Sequence, residues 1–246
     1  MTVLPTLSSE SIDLIYIDPP FNTHKTQTRL SETSYMLSYE DSFVDYLSFL
    51  RPRLLEAFRL LSMTGSIFIH LDYREVHYVK VEMDKIFGRN QFINEIIWAY
   101  DYGGRSKSRW SAKHDTILWY IKGDTYCFNY DLIDRIPYLA PALVGAEKAT
   151  RGKTPTDVWW NTIVPTMGYE KTGYPTQKPL TILNRIVQVH SNPTDQLLDF
   201  FAGSGSFGEA AAINNRNCIL IDFNIDAIQI MKQRLKKYGI VCPNEV

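Results

Sequence analysis

The run Leu197-Leu198-Asp199-Phe200-Phe201-Ala202-Gly203-Ser204-Gly205-Ser206-Phe207-Gly208 constrains the fold more than any other part of the chain. A short apolar strand leads into a glycine turn, and the turn opens a helix. Gly203 and Gly205 let the backbone approach a ligand at the helix N-terminus, where orphan N–H groups face outward. A second strand, Asn217 to Ile221, follows and ends at Asp222, where a carboxylate is placed to hold ribose hydroxyls. The arrangement predicts an α/β fold with a ligand containing adenosine. Gly203, Gly205 and Gly208 also fit the dinucleotide pattern, so this turn alone suits an NAD or FAD enzyme as well as one that uses a methyl donor. Two details favour the methyl donor. Asp199 precedes the turn, where a carboxylate suits an amino-bearing or cationic ligand better than a pyrophosphate. The turn also lies late in the chain, whereas the dinucleotide pattern usually opens its domain.

A second turn carries more specific chemistry. The apolar run Ser11 to Ile17 reads as a buried strand and ends at Asp18-Pro19-Pro20-Phe21. Two prolines cannot continue a central strand, because neither donates a ladder hydrogen bond. An exocyclic amino group on a nucleobase is a poor nucleophile, since its lone pair is delocalised into the ring. A carboxylate (Asp18) and a backbone carbonyl (Pro19) can accept its two N–H groups and push the nitrogen towards tetrahedral geometry. Pro19 and Pro20 fix the backbone for that purpose, and Phe21 offers a face on which an extruded base can stack. No metal is called for, because a sulfonium donor is already activated and the site's work is mainly positioning. Both turns end strands, and ligands of doubly wound sheets bind at the carboxyl ends of strands. The two turns are therefore expected to face one cleft.

The rest of the chain alternates strands and helices, which predicts a mostly parallel, doubly wound sheet. Helices are expected over Asp41 to Leu61 (stopped by Gly65), Glu75 to Phe87, Leu180 to Val189 and Ala227 to Tyr238. Further strands are expected over Ser66 to Leu71, Phe92 to Tyr100 and Thr116 to Ile121. Asn22 to Ser38 reads as a mobile loop. Residues 123–160 break the rhythm and read as a small inserted lobe between a half spanning 1–122 and a half spanning 161–246. The three cysteines are scattered without metal-ligand spacing and read as reduced. No apolar run is long enough to span a membrane, and no signal segment is visible, so a cytoplasmic location is expected. The net charge of −1 announces no global attraction to nucleic acid. Lys and Arg nevertheless outnumber Asp and Glu between Arg105 and Lys153, and local distribution matters more than the sum. Arg105, Lys107 and Arg109 follow a glycine pair, with Lys113 and His114 close behind. Basic residues on such a hinge suit phosphate contacts. Arg151 and Lys153 form a weaker basic pair, and Lys25 and Arg29 lie just past the Asp-Pro-Pro-Phe turn.

Taken together these segments resemble the amino-methyltransferases of DNA, specifically the beta group. In that group the catalytic turn comes first, a target-recognition region follows and the glycine turn comes last. SIDLIYIDPPFNT, GSIFIHLDYREVHYVKVEMDKIFG, KHDTILWYIK, GYPTQKPLTILNRIV, LLDFFAGSGSFGEAA and CILIDFN are similar to successive family segments, covering nearly the whole chain. The resemblance implies a Rossmann-like methyltransferase sheet with circularly permuted motif order, S-adenosylmethionine as donor and double-stranded DNA as substrate. By position, Asp18, Pro19, Pro20 and Phe21 would act on the base. Asp199, Phe200, Phe201, Ala202, Gly203 and Gly205 would line the methionine end of the donor. Asp222 would hold the ribose, Phe223 and Asn224 would lie near the adenine, and Gln177, Lys178 and Pro179 would close over the donor. Asp at the first turn position leans towards adenine N6, and Ser towards cytosine N4. A homodimer and a cognate restriction endonuclease are further partners the resemblance brings in. An RNA or protein methyltransferase, or an NAD-dependent oxidoreductase, is the competing reading. The group usually carries a Gly-Asp-bearing strand upstream of the part matching Met1 to Ser11, which the sequence given does not include. A truncated start would weaken donor binding.

Overall fold

The structure is a computed structural model that describes residues 2–30, 36–165, 168, 170–174 and 176–240. The central strand β1 (Ile12–Ile17) leads, through a hairpin of β2 (Lys25–Leu30) and β3 (Met36–Asp41), to helix α1 (Tyr46–Leu60) and strand β4 (Leu61–Leu71). Helix α2 (Val76–Phe87) and the antiparallel strands β5 (Phe92–Ala99) and β6 (His114–Ile121) follow. A largely irregular stretch carries helix α3 (Ala146–Arg151) and ends in the short strand β7 (Val158–Trp160). The last part alternates α4 (Leu180–His190), β8 (Gln196–Asp199), α5 (Ser206–Ile213), β9 (Asn217–Leu220) and α6 (Ile225–Lys236).

Among the described residues, seven strands form one sheet in the order β7-β5-β6-β4-β1-β8-β9. Successive side chains of β1 leave opposite faces. Ile15 and Ile17 join a core with Leu50 and Leu54 of α1 and Val79 of α2. Leu14 and Tyr16 join the other core with Ile182 and Ile186 of α4 and Phe207 of α5. Burial on both faces explains why β1 is apolar without alternation, and helices on both faces make the sheet doubly wound. β1 runs parallel to β4 and β8, and β8 runs parallel to β9. Their carboxyl ends therefore share one edge, and on it lie the Asp18 turn, the glycine turn and Asp222.

Several expectations change. Residues Asn22 to Ser38 contain an antiparallel hairpin, with Lys25 facing Asp41 and Leu30 facing Met36, in place of a loop; residues 31–35 lie outside the described part. Its strands are polar and so escape a reading based on apolar runs. Helix α1 begins at Tyr46, because Asp45 caps it by accepting the Ser48 N–H at 3.0 Å. Gly65 stops no helix: β4 runs straight through it. There a Cβ would lie 2.8 Å from the Leu61 side chain and 3.1 Å from the Ile12 carbonyl, so glycine serves a close approach of strands. The sheet is mixed, since β6 runs antiparallel to both β4 and β5. The last residues of the irregular stretch, Val158–Trp160, add to the sheet edge beside β5.

A buried ionic cluster fixes the glycine turn to the helices around it. Arg234 of α6 pairs with Glu209 of α5, both side chains 3% exposed. The same guanidinium donates to the Ser204 carbonyl at 3.1 Å and to the Ser206 hydroxyl at 2.8 Å. Glu209 also accepts from Tyr238 at 2.9 Å. Removing one member of a buried pair leaves an uncompensated charge. Glu209→Ala should therefore lower the unfolding free energy by about 3–5 kcal/mol, measured by urea titration. A loss below about 1 kcal/mol would show that the cluster is not a structural support.

Candidate active site

β1 carries Asp18-Pro19-Pro20-Phe21 past the sheet edge, and the chain then turns at Asn22, whose φ is +55°. Asn is among the few non-glycine residues that enter the left-handed region readily. Asn22 is buried and fully engaged. Its backbone N–H donates to Asp41 Oδ1 at 2.7 Å, its side-chain amide donates to Glu75 Oε1 at 2.7 Å, and its Oδ1 accepts the Phe43 N–H at 2.9 Å. The Thr23 hydroxyl donates to the second Asp41 oxygen at 2.6 Å. Tyr46 donates its hydroxyl to the Pro20 carbonyl at 2.7 Å. Hairpin, α1 and α2 thus hold the turn from behind. Sequence reasoning passed over Asn22, Asp41, Tyr46 and Glu75, because polar residues paired across the chain leave no period. The one signal was an Asn placed directly after a Pro-Pro-Phe turn.

Phe21 stacks on the imidazole of His70, with centroids 6.0 Å apart and planes at 27°. His70 is clamped at both nitrogens: Nδ1 lies 2.8 Å from the Tyr16 hydroxyl and Nε2 lies 3.1 Å from Asp115. Asp115 accepts a further bond from Tyr100 at 3.0 Å. Burial pushes the Tyr16 hydroxyl far up its titration range, with the nearby carboxylates of Asp18, Asp199 and Asp115 adding to it, so it stays neutral. Burial also acts to raise Asp115, but the bonds and charges of His70, Lys178 and Tyr100 outweigh it and hold the carboxyl below its usual value. The aromatic platform therefore rests on a buried polar chain that the sequence did not reveal.

Lys178 reaches the Asp18 turn from 160 residues further along the chain. Its Nζ lies 2.5 Å from Asp18 Oδ2 and 4.9 Å from the centre of the Phe21 ring. Lys178 also lines the cavity described below, so the pair with Asp18 comes in addition to the position over the donor that the resemblance implies. With Oδ2 so engaged, Oδ1 of Asp18 is buried and has no hydrogen-bond partner among the described residues. The Pro20 carbonyl is taken by Tyr46. Gln177 braces its own segment, accepting the Thr172 N–H at 2.9 Å and donating to the Glu170 carbonyl at 2.7 Å. Pro179 is the N-cap of α4.

Both turns face one cavity of about 470 Å³. Asp18 and Pro20 line it from one side, Asp199 through Ser204 and Asp222 through Asn224 from the other, and Gln177 and Lys178 bound it between them. Thr2, Val3 and Leu4 form part of the wall. Gly205, with φ +73°, lies behind the turn as the N-cap of α5, where a Cβ would come within 2.7 Å of the Met231 side chain. Asp199 is buried and accepts the Phe201 N–H at 2.9 Å. Burial raises its pKa well above the usual carboxylate range, and Asp18 and Asp222 add to this against the Phe201 bond. Asp222 accepts the Gly203 N–H at 2.8 Å and the Asn224 N–H at 2.9 Å, and burial raises it too. Phe223 is 89% exposed at the mouth.

The basic residues separate into groups. The connection from β5 to β6 rises from the same sheet edge as the Asp18 turn. Arg105, Arg109, Lys113 and His114 line an open cleft of about 480 Å³ there, together with Asp72, Tyr73 and Arg74 from the end of β4. Lys107 is exposed on the same loop. Lys25 is exposed on the hairpin, and the side chain of Arg29 lies outside the described part. Arg151 and Lys153 line neither cavity; Lys153 bridges to Ile136 through its backbone.

Comparison with known proteins agrees with this geometry. A family model described as DNA methylase, of the N6/N4 methyltransferase type, matches residues 12–233. The DNA adenine methyltransferase YhdJ of Escherichia coli K12 is 31% identical over 246 residues, covering 94% of this chain and 79% of YhdJ. The crystal structure of the M1.HpyAVI–SAM complex superposes with a TM-score of 0.62 at 24% identity, over 94% of this chain and 90% of that one. The cytosine-N4-specific PvuII DNA methyltransferase superposes with a TM-score of 0.68 at 14% identity, over 99% and 84% respectively. These two structures share the fold.

The buried carboxyl of Asp199 generates a prediction with a definite sign. Its pKa is raised in the folded state, so folding costs nothing through this group below the unfolded Asp value of about 3.9. The cost appears as pH rises through the window from that value to the raised one, and is complete above it. Asp199→Asn keeps an acceptor for the Phe201 N–H without the charge. Its melting temperature should match the wild type near pH 3 and exceed it at pH 7 by about 2 °C or more, the scale of 1 kcal/mol in a chain of this size. A difference that is constant with pH would show that Asp199 is not held against its charge.

Proposed function

The chain belongs to the N6/N4 DNA methylase family and is a DNA methyltransferase, and on that premise we propose that it methylates the N6 amino group of adenine within a short duplex sequence, using S-adenosylmethionine. The observation that carries this reading is the unpartnered Oδ1 of Asp18 at the wall of a cavity it shares with Asp199 and Asp222. The cavity's volume lies in the range of small-molecule sites. Its carboxylates suit an amino group and ribose hydroxyls. When bound, S-adenosylmethionine supplies a methyl group activated by a sulfonium.

The residues of this chain supply position and hydrogen bonds. Asp199 receives the donor's amino group, Asp222 receives ribose hydroxyls, and Phe223 and Asn224 flank the adenine. Asp18 Oδ1 and the Pro19 carbonyl accept the two N–H groups of the target base and localise the nitrogen lone pair. Lys178 fixes Asp18 by occupying its other oxygen. Phe21, backed by His70, stacks on a base that has left the duplex. Arg105, Lys107, Arg109, Lys113 and His114 hold phosphates beside the catalytic edge, with Lys25 and Arg29 on the hairpin and Arg151 and Lys153 further out. The stretch 123–160 reads the site, and the protein works as a homodimer on cytoplasmic DNA beside a cognate endonuclease. An aspartate opening the catalytic turn and the adenine-specific relative favour adenine over cytosine N4, for which the same acceptors would serve.

Incubation with methyl-labelled S-adenosylmethionine and unmethylated mixed-sequence DNA, followed by digestion to nucleosides and mass analysis, tests this. Label is expected on N6-methyladenine and should fall by at least about 100-fold in Asp18→Ala. Label on N4-methylcytosine would overturn the choice of base, and label absent from DNA would overturn the activity. Replacing Arg105, Lys107 and Arg109 together by Ala should weaken DNA binding and reduce its salt slope by about one for each phosphate no longer neutralised. An unchanged slope would remove this loop from the DNA interface.

A further inference from the structure

The donor's methionyl end carries a carboxylate as well as an amino group. A carboxylate entering a largely buried cavity needs a cation or several N–H donors to replace its water. Among the described residues, the cavity that joins the two turns is lined by three carboxylates, Asp18, Asp199 and Asp222, and by only two cationic side chains, Lys178 and Arg53. Lys178 is occupied by Asp18 at 2.5 Å. Arg53 is therefore the cation available to an anion in this site.

Its setting is that of a preplaced guanidinium. Arg53 projects from α1, donates one Nη–H to the Phe49 carbonyl one turn back, and lies 4.1 Å from the centre of the Phe49 ring. Phe49 in turn packs against Phe201, next to the Asp199 turn, with centroids 6.0 Å apart. No carboxylate pairs with Arg53 among the described residues, and a guanidinium has five N–H donors, so most remain for a ligand. Ring and carbonyl hold the planar fork beside the glycine turn before anything binds, which lowers the entropic cost of bidentate capture.

We propose that Arg53 anchors the α-carboxylate of the methyl donor, with Asp199 taking the neighbouring amino group. Together they grip the methionyl end from α1 and β8, while Asp222 holds the ribose. This rests on the reading of S-adenosylmethionine as donor. A purely structural role, packing α1 through the stem and the Phe49 ring, is the competing account.

The two accounts separate when ligands differing only in that carboxylate are compared. Calorimetry would measure S-adenosylmethionine and decarboxylated S-adenosylmethionine binding to the wild type, Arg53→Met and Arg53→Lys, with thermal melts to confirm folding. Arg53→Met keeps an apolar stem and loses the charge. It should weaken S-adenosylmethionine by about 10- to 100-fold, as expected for charge-assisted hydrogen bonds, and change the decarboxylated ligand by less than about twofold. Arg53→Lys should fall between. Equal weakening of both ligands, or of neither, would overturn the assignment. A wild type that binds neither ligand would instead contradict the donor reading on which it rests.

Discussion

The ion pair between Lys178 and Asp18 joins parts of the chain 160 residues apart, and the chemistry of the site follows from it. With one carboxylate oxygen held by the ammonium, the other is buried and has no hydrogen-bond partner among the described residues. The pair can form only because β1 lies between β4 and β8 in the sheet. That placement brings the Asp18 turn, the glycine turn and the segment before α4 to one edge. A buried pair contributes little net stability, but this one sets the direction in which Asp18 presents its free lone pairs.

Three carboxylates, Asp18, Asp199 and Asp222, line one cavity. Burial raises the pKa of Asp199 well above its usual range and raises Asp222 as well. A ligand with an amino group, a sulfonium and ribose hydroxyls relieves the cost of burying that charge at each end, while a neutral or anionic ligand would not. On the base side the logic is mechanical. Asn22, Asp41 and Glu75 lock the turn, and Tyr16, His70 and Asp115 support the Phe21 ring. Both networks sit behind the Asp18 turn and Phe21 and keep their positions fixed.

Much of this was legible in the sequence where residues obey local rules. Buried strands end at prolines or glycines, so β1, β8 and the turns after them could be read directly. Asp222 followed from its place after the next strand. The doubly wound fold followed from the alternation of elements, and family membership from the order of the two turns. What escaped depends on contacts between distant residues. The hairpin of β2 and β3 is polar on both strands and lacks an apolar alternation. Gly65 breaks a helix in local statistics but serves close strand packing here. Val158–Trp160 joins the sheet only because β5 offers a free edge. His70 and Arg53 sit in a strand and a helix that look like ordinary core elements, and only the fold shows that His70 backs Phe21 and Arg53 lines the cavity.

The central claim is that one cavity holds the donor with its reactive sulfur turned towards Asp18. A crystal structure of the protein with S-adenosylhomocysteine tests it most directly. The account predicts the ribose at Asp222, the amino group at Asp199 and the thioether sulfur facing the free oxygen of Asp18. A ligand bound outside this cavity, or bound with its sulfur turned away from Asp18, would contradict it.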